Sequence, residues 1–292
     1  MSRKLHKFQT EAEYQAYSAS TEYTTPCVAL IVDTNVIYYD YGNNKPQVDL
    51  SDYKGEFQES SVGGDKYGKS AITKINYIPT GITRLDSAFS DLSSIISVPP
   101  IPSSVYFMGN TFSHCTSLRV APKIPSGVKY MQYAFNNCSS LITAPELPSG
   151  LESISGAFSY CDRLVNAPSV IPSGITSLYE TFKSCTSLVN VPNIHSGITN
   201  MDYTFYGCTS LVKAPSIPES ATSLRSTLRE CSILKEATFL HTTPPSYFDT
   251  LYNCPSLESI YVPDSALEDY RTATGWSQFA DKFKPLSSKP SE

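Results

Sequence analysis

The sequence predicts a mainly β repeat solenoid of about eight coils, each 23 residues long. Three observations predict it. Cysteines stand at 115, 138, 161, 185, 208, 231 and 254, so every gap is 23 residues except one of 24. Three positions before this slot come Phe89, Phe112, Phe135, Phe158, Phe182 and Phe205, then Leu228 and Leu251; Leu92 fills the cysteine slot of the opening coil. Three positions after it an aliphatic residue recurs, from Ile95 and Leu118 to Leu257. A fixed period of this size marks stacked coils, none of which buries its apolar face alone.

The repeat begins in AITKINYIPTGITRLDSAF and runs over 71–262. Met131, Phe135, Cys138 and Leu141 step by four, three and three, the spacing of one helical face, so a tight helical or 3₁₀ turn is expected through Phe and Cys. Pro122, Pro125 and Gly127 then force an extended segment and a bend. Each coil thus reads as a short strand near Leu-x-x-Ala-Pro, a Pro-Ser-Gly corner and the turn. Equivalent residues stack at about 4.8 Å, and each large side chain in the inward ladders contributes roughly 1.5–3 kcal/mol on burial. The extra residue near Val170 is expected to form a local bulge at a corner.

A regular cysteine series suggests a disulfide framework, a metal site or simple packing. The spacing lacks the paired C-x-x-C of zinc sites. Stacked cysteines also point their side chains the same way, unlike bonded partners. Leu92 in the same slot indicates a requirement for volume rather than for sulfur chemistry. Packing is therefore the expectation, with no metal and no cofactor. Cys27, outside the series, lies in a strand-like run and is read as packing too.

The string FYGCTSLVKAPSIP at 205–218 resembles the BspA-like leucine-rich repeats. The resemblance covers about two thirds of the chain and implies a leucine-rich-repeat-like solenoid used for binding or adhesion. Its dense proline content departs from the commonest form of the repeat.

A solenoid needs its ends covered. In LESIYVPDSALEDYRTATGWSQFADKFKPL a last strand, ESIYV, leads to Asp264 as helix N-cap. A helix is expected over 265–273, ended by Gly275, within a helical cap and tail at 263–292. Trp276, the one tryptophan, begins a second turn with Phe279 and Phe283. It suits a ligand platform or a plug, and the plug is the simpler reading at the end of a stack; similar endings accompany BspA-like repeats.

Residues 1–41 read as a separate αββ unit. Thr10 and Glu13 form a capping box for a helix carrying Tyr14 and Tyr17, and CVALIVDTNVIYYDY gives a hairpin around Asp33–Asn35. The stretch 42–70 reads as a polar linker. The leading unit resembles the short N-terminal module of structural proteins from viruses infecting gut bacteria, which implies attachment to other virion proteins through residues 1–41.

Chemistry is sparse. The net charge is -5 and charged residues make up 17% without basic clusters, which argues against nucleic-acid binding. No apolar run approaches the ~20 residues of a membrane span, so no membrane insertion is expected. The basic opening lacks the apolar run of a secretory leader, as expected of a product released in the cytosol or of one whose leader has been removed. His6, His114, His195 and His241 fall in unrelated slots: His114 in a variable, solvent-facing one, His195 in place of a corner proline. No Ser-His-Asp arrangement and no phosphate-binding glycine loop is apparent, so a non-enzymatic protein is expected. What recurs outside is aromatic: Tyr130, Tyr133, Tyr179, Tyr203 and Tyr206, with Tyr160, lie between the Met/Leu and Cys slots. They form either a tyrosine-lined binding face for sugars or proteins or merely residues suited to β-rich surfaces.

The leading expectation is a bacteriophage virion structural protein: a fibre, decoration or tail-associated component. Its solenoid would contact a host-surface glycan, a host protein or a particle partner, or act as a rigid spacer. The alternative is a bacterial cell-surface adhesin or binding module.

Overall fold

In the computed structural model, the structure describes four N-terminal strands as backbone, residues 73, 75 and 78, and residues 82–290. Strand β1 (Leu5–Phe8) runs parallel to β2 (Cys27–Ile31), which pairs antiparallel with β3 (Val36–Asp40), Ile31 facing Val36. Strand β4 (Gln47–Asp49) adds to β3, so the stretch read as a linker contains a strand. Polar composition does not prevent this, because pairing is made by backbone groups. The helix read around Tyr14 and Tyr17 lies outside the described residues.

From residue 82 the repeat dominates. Successive coils pair in parallel through isolated bridges, Arg84 with Phe107, Tyr130 and Ser153 on one column and Thr143 with Asn166 and Asn190 on another. Continuous strands appear only late: β5 (Lys213–Ile217), β6 (Glu236–Phe239) and β7 (Ser259–Val262), followed by β8 (Phe283–Pro285), form one parallel sheet. In most coils the expected strand is thus reduced to single bridges, a proline after the alanine slot removing an N–H; in β5 that proline is Pro215, and the register breaks between Lys213 and Ser216. In β6 that position is Thr238, and the ladder continues. The register steps from 24 residues at Asn166–Asn190 to 23 at Val170–Asn193, which places the extra residue between Asn166 and Val170, the latter 65% exposed at a corner.

The turn through Phe and Cys is not helical. Tyr133 (φ 54°) and Asn137 (φ 56°) are left-handed, as are the same two slots in every coil from Ser87 and Asp91 to Asp249 and Asn253. The N–H groups of Ala134, Asn136 and Cys138 donate to carbonyls three residues back at 3.1 Å. Those of Met131, Tyr133, Phe135 and Asn137 donate to Ser153, Ser155, Ala157 and Ser159 of the next coil at 2.8–2.9 Å. Each coil is therefore a ribbon of tight turns in which alternate N–H groups bond within the coil and across to the next. The three-and-four spacing arises because turn ribbons also return inward side chains every three or four residues.

The inward side chains form one core. Phe89, Phe112, Phe135, Phe158, Phe182 and Phe205 are fully buried and stack with centroids 5.4–5.8 Å apart. That is wider than the inter-strand spacing, as offset ring stacking requires. The seven cysteines at 115–254 are free thiols. Cys115, Cys138, Cys161, Cys185, Cys208 and Cys231 donate to the phenylalanine carbonyl of the preceding coil at 3.0–3.2 Å, and Cys254 to that of Leu228 at 3.0 Å. This corrects the reading of a slot that wants only volume: it wants a small side chain with a donor. Thr111, Thr204, Thr227 and Thr250 do the same one turn earlier, each hydroxyl donating 26 residues back at 2.9–3.0 Å.

The C-terminal end of the core is covered. A 3₁₀ turn, Asp264–Ala266, leads into helix α1 (Leu267–Thr272). Asp264 makes no cap bond; its carboxylate takes the N–H and hydroxyl of Ser287 instead, fastening the tail, because the turn begins one residue earlier at Pro263. Trp276 is fully buried against Phe239, Tyr247 and Tyr270 (centroids 5.0–5.3 Å), and its Nε1–H donates to the Pro245 carbonyl at 2.6 Å.

Candidate binding surface

Because the inter-coil bonds lock the register, each outward slot becomes a column of side chains. Two positions before the cysteines, the column reads Lys183, Tyr206, Arg229 and Tyr252 in successive coils. Five positions before them it reads Glu180, Tyr203, Ser226 and Asp249. The two columns flank a hollow of about 530 Å³, open to solvent and lined by Tyr160, Tyr203 and Tyr206 together with Lys183, Arg225, Arg229 and Asp249.

Cations and rings interleave here. The Lys183 ammonium lies 5.4–5.9 Å from the ring centroids of Tyr160, Tyr203 and Tyr206. Arg229 sits 4.6 Å over Tyr252 and 5.9 Å from Tyr206. Lys183 bonds Glu180 at 2.7 Å, and Arg229 reaches Asp249 at 2.9 Å and Glu230 at 3.3 Å. Burial is the strongest single influence on the Lys183 ammonium and works against it, yet the bond to Glu180, the charge of Glu180 and the neighbouring Tyr160 together outweigh it and hold the pKa above the ordinary lysine value. The Tyr206 hydroxyl donates to Glu230 at 3.0 Å, which pushes the phenol pKa up, with burial adding to it.

Tyr203 and Tyr206 come together, ring to ring at 6.2 Å, and Tyr179 meets Tyr203 edge-on at 6.2 Å. Tyr133 stands further along the same side, its hydroxyl donating to Glu180 at 3.5 Å. Tyr130 does not join them. It lies on the column of Arg84 and Phe107, 5.5 Å from the Phe107 ring, and its hydroxyl donates to Glu152 at 2.7 Å. It sits three positions before Tyr133 in the chain, across a turn that changes face. Sequence reasoning missed Lys183, Arg225 and Arg229; the one signal was that Lys183 and Arg229 both stand two positions before a cysteine, whereas Arg225 recurs in no other coil.

The left-handed slots run through every coil. Left-handed φ favours Gly, Asn and Asp, and several coils comply with Asn110, Asn137, Asp249 or Gly207. Other coils hold different residues in the same slots, Ser87 and His114 at the start and Tyr133, Tyr160, Glu180, Tyr203 and Glu230 further on, at φ 49–64°. Such placements cost stability.

The histidines serve local structure. His195 accepts from Gly197 N–H at 3.0 Å through Nδ1 and lies 3.2 Å from the Pro172 carbonyl through Nε2, so it shapes its corner rather than merely replacing a proline. His114 is exposed beside Ser113 and Asp91. Among the described residues no group of His, Cys, Asp and Glu is arranged to hold a metal, and no helix is long and apolar enough to cross a membrane.

The chain matches the family model described as BspA type Leucine rich repeat region, in six copies over residues 60–188 and 155–272. Among solved structures it is similar to a leucine-rich cell surface protein of Faecalibacterium prausnitzii, with 21% identity over 83% of this chain and 72% of that one and a TM-score of 0.52. A leucine-rich-repeat protein of T. pallidum shares 26% identity over 56% of this chain and 75% of that one, with a TM-score of 0.42. One from Eubacterium ventriosum shares 16% over 86% and 84%, with a TM-score of 0.39. No curated protein matches the sequence significantly.

Proposed function

The chain belongs to the BspA-type leucine-rich-repeat family, and from that premise we propose that it is a non-catalytic binding module of a bacterial cell surface. It works by presenting a rigid, register-locked array of side chains to a glycan or protein on another surface. The observation that carries this reading is the interleaved column Lys183, Tyr206, Arg229 and Tyr252 beside the hollow. Tyrosine at such a site gives large contact area for little lost conformational freedom, and arginine adds a charged anchor. Tyr203 and Tyr206 stand at its centre, Tyr133 and Tyr179 at its margin, and Tyr130 on a separate face.

In this reading about eight coils form the scaffold, Trp276 and α1 close its C-terminal end, and residues 1–41 form a unit of their own. The fold of the F. prausnitzii cell surface protein supports the location. The virus-particle reading rests on residues 1–41 and draws no support from the family match or the similar structures. Antibody raised against the chain is expected to label intact producing cells, and the purified chain to be retained saturably on target cells. Its recovery in purified virus particles, with unlabelled cells, would overturn the cell-surface reading.

A further inference from the structure

The hollow beside Tyr203 holds three cations, but two are already matched. Lys183 is bonded to Glu180, and Arg229 to Asp249 and Glu230. Arg225 is different: its backbone N–H is held by Asp202 Oδ1 at 2.7 Å, while its exposed guanidinium meets no carboxylate among the described residues. Arg225 is therefore the one cation lining the hollow whose guanidinium is left to meet an anion. A dianion would find a single free cation; a carboxylate matches the guanidinium through two parallel N–H bonds.

The rest of the lining suits an alcohol-rich ring. Tyr203 and Tyr206 offer flat apolar faces with polar edges. The Tyr206 hydroxyl spends its proton on Glu230 and keeps lone pairs for a ligand hydroxyl. Asp249 takes Arg229 through Oδ2, which leaves Oδ1 to accept another. The volume of about 530 Å³ falls among ligand-sized hollows of roughly 300–1,000 Å³. Resting on the binding-module reading above, we propose that this hollow binds a carboxylate-bearing sugar of a surface glycan. The carboxylate pairs with Arg225 and the sugar ring lies against Tyr203 and Tyr206. Uronic and sialic acids share this chemistry.

The test is titration calorimetry on the full chain with galacturonic acid oligomers, sialyllactose, the methyl esters of both, and lactose. One or both acids are expected to bind, and esterification to weaken binding by about tenfold or more, the loss of one charge-assisted pair. Arg225→Gln is expected to lose as much, to stop distinguishing acid from ester, and to melt as the wild type does. Tyr206→Ala is expected to weaken acid and ester alike. Equal affinity for acid and ester, wild-type affinity in Arg225→Gln, or no binding of either acid overturns the assignment. If wild-type chain ignores both acids yet is still retained on target cells, the sugar assignment fails while the binding-module reading stands.

Discussion

The thiol of Cys161 donates a hydrogen bond to the carbonyl of Phe135, 26 residues back, at 3.1 Å. That carbonyl already accepts the N–H of Cys138 at 3.1 Å, so the thiol occupies its second lone pair within the buried core. The bond ties each coil to its predecessor through the interior, while the ribbon bonds tie it along the backbone. Leu92 stands at the start of the series: Phe89 of its own coil accepts from Cys115 above, and a leucine donates to nothing.

Cys161→Ala removes a buried sulfur and one acceptor's partner, and is expected to cost about 1–3 kcal/mol. Cys161→Leu overpacks the slot as well as losing the donor, and is expected to cost no less. Urea denaturation followed by circular dichroism gives the order. A leucine variant as stable as wild type would mean that volume alone matters there.

Burial also governs how the thiols react. It pushes the pKa of Cys138, Cys161 and Cys208 well above the ordinary value, whereas Cys254, half-exposed at the end of the series, is pushed up to about 11. Among these seven cysteines, native-state alkylation followed by peptide mass spectrometry should modify Cys254 first. Its rate should rise about tenfold per pH unit between roughly pH 8 and 10, where the thiolate fraction is still small. Equal labelling of Cys254 and Cys161 would contradict the burial gradient.

The repeat and its inward ladders were legible because stacking repeats one burial requirement every 23 residues; Phe, Cys and Leu could not be placed otherwise. The turn type was not. Its three-and-four spacing also suits a helix, and what separates them is φ at Tyr133 and Asn137, which tyrosine does not advertise. The thiol donors were hidden because cysteine is also a good small apolar residue, and Leu92 reads as proof of that until its place at the start of the series is seen. Of the candidate surface, the tyrosines were visible one by one. Their grouping was not, because Tyr130 and Tyr133 are neighbours in the chain yet face different columns, while Tyr206 and Arg229 are 23 residues apart and adjacent.

Gly156 and Tyr133 form a pair that a double-mutant cycle can test. Gly156 has φ +63°, and a Cβ there would lie 2.1 Å from Tyr133 Cε1. Gly156→Ala is expected to cost about 1–3 kcal/mol from the left-handed backbone and the displaced ring together. In a Tyr133→Ala background only the backbone part remains, so the cost should fall by at least about 0.5 kcal/mol. Additive costs in chemical denaturation would show that the ring moves aside freely.

His241 should make the fold sensitive to mild acid. It is buried, its Nε2 lies 2.9 Å from the Ala221 carbonyl, and its Nδ1 has no partner. Burial therefore pulls its pKa below the ordinary 6.5, against the opposing pulls of the Ala221 carbonyl and Glu219. The unfolded chain binds the proton more readily, so the contribution is complete above pH 6.5 and is lost as pH falls from there toward the folded value. The urea midpoint should drop between about pH 7.5 and 5.5, and drop less in His241→Gln. Parallel profiles for the two proteins would remove His241 as the cause.

Tyr160 offers a test of whether the left-handed tyrosines are kept for the surface they build. It is 43% exposed with φ 59°, and its ring serves mainly as a partner for the Lys183 ammonium at 5.8 Å. The equivalent slot of the coil before holds Asn137 at φ 56°, so an asparagine fits this backbone without rearrangement. Tyr160→Asn should relieve the local backbone and stabilise the fold by about 0.5–1 kcal/mol, less the weak cation–ring contact. The same change removes one wall of the hollow, so retention on target cells should weaken while the melting temperature rises. Opposite movement of stability and binding is what a residue selected for its surface predicts. A variant that loses stability would instead make Tyr160 part of the scaffold, with its ring contacts worth more than the strain they impose.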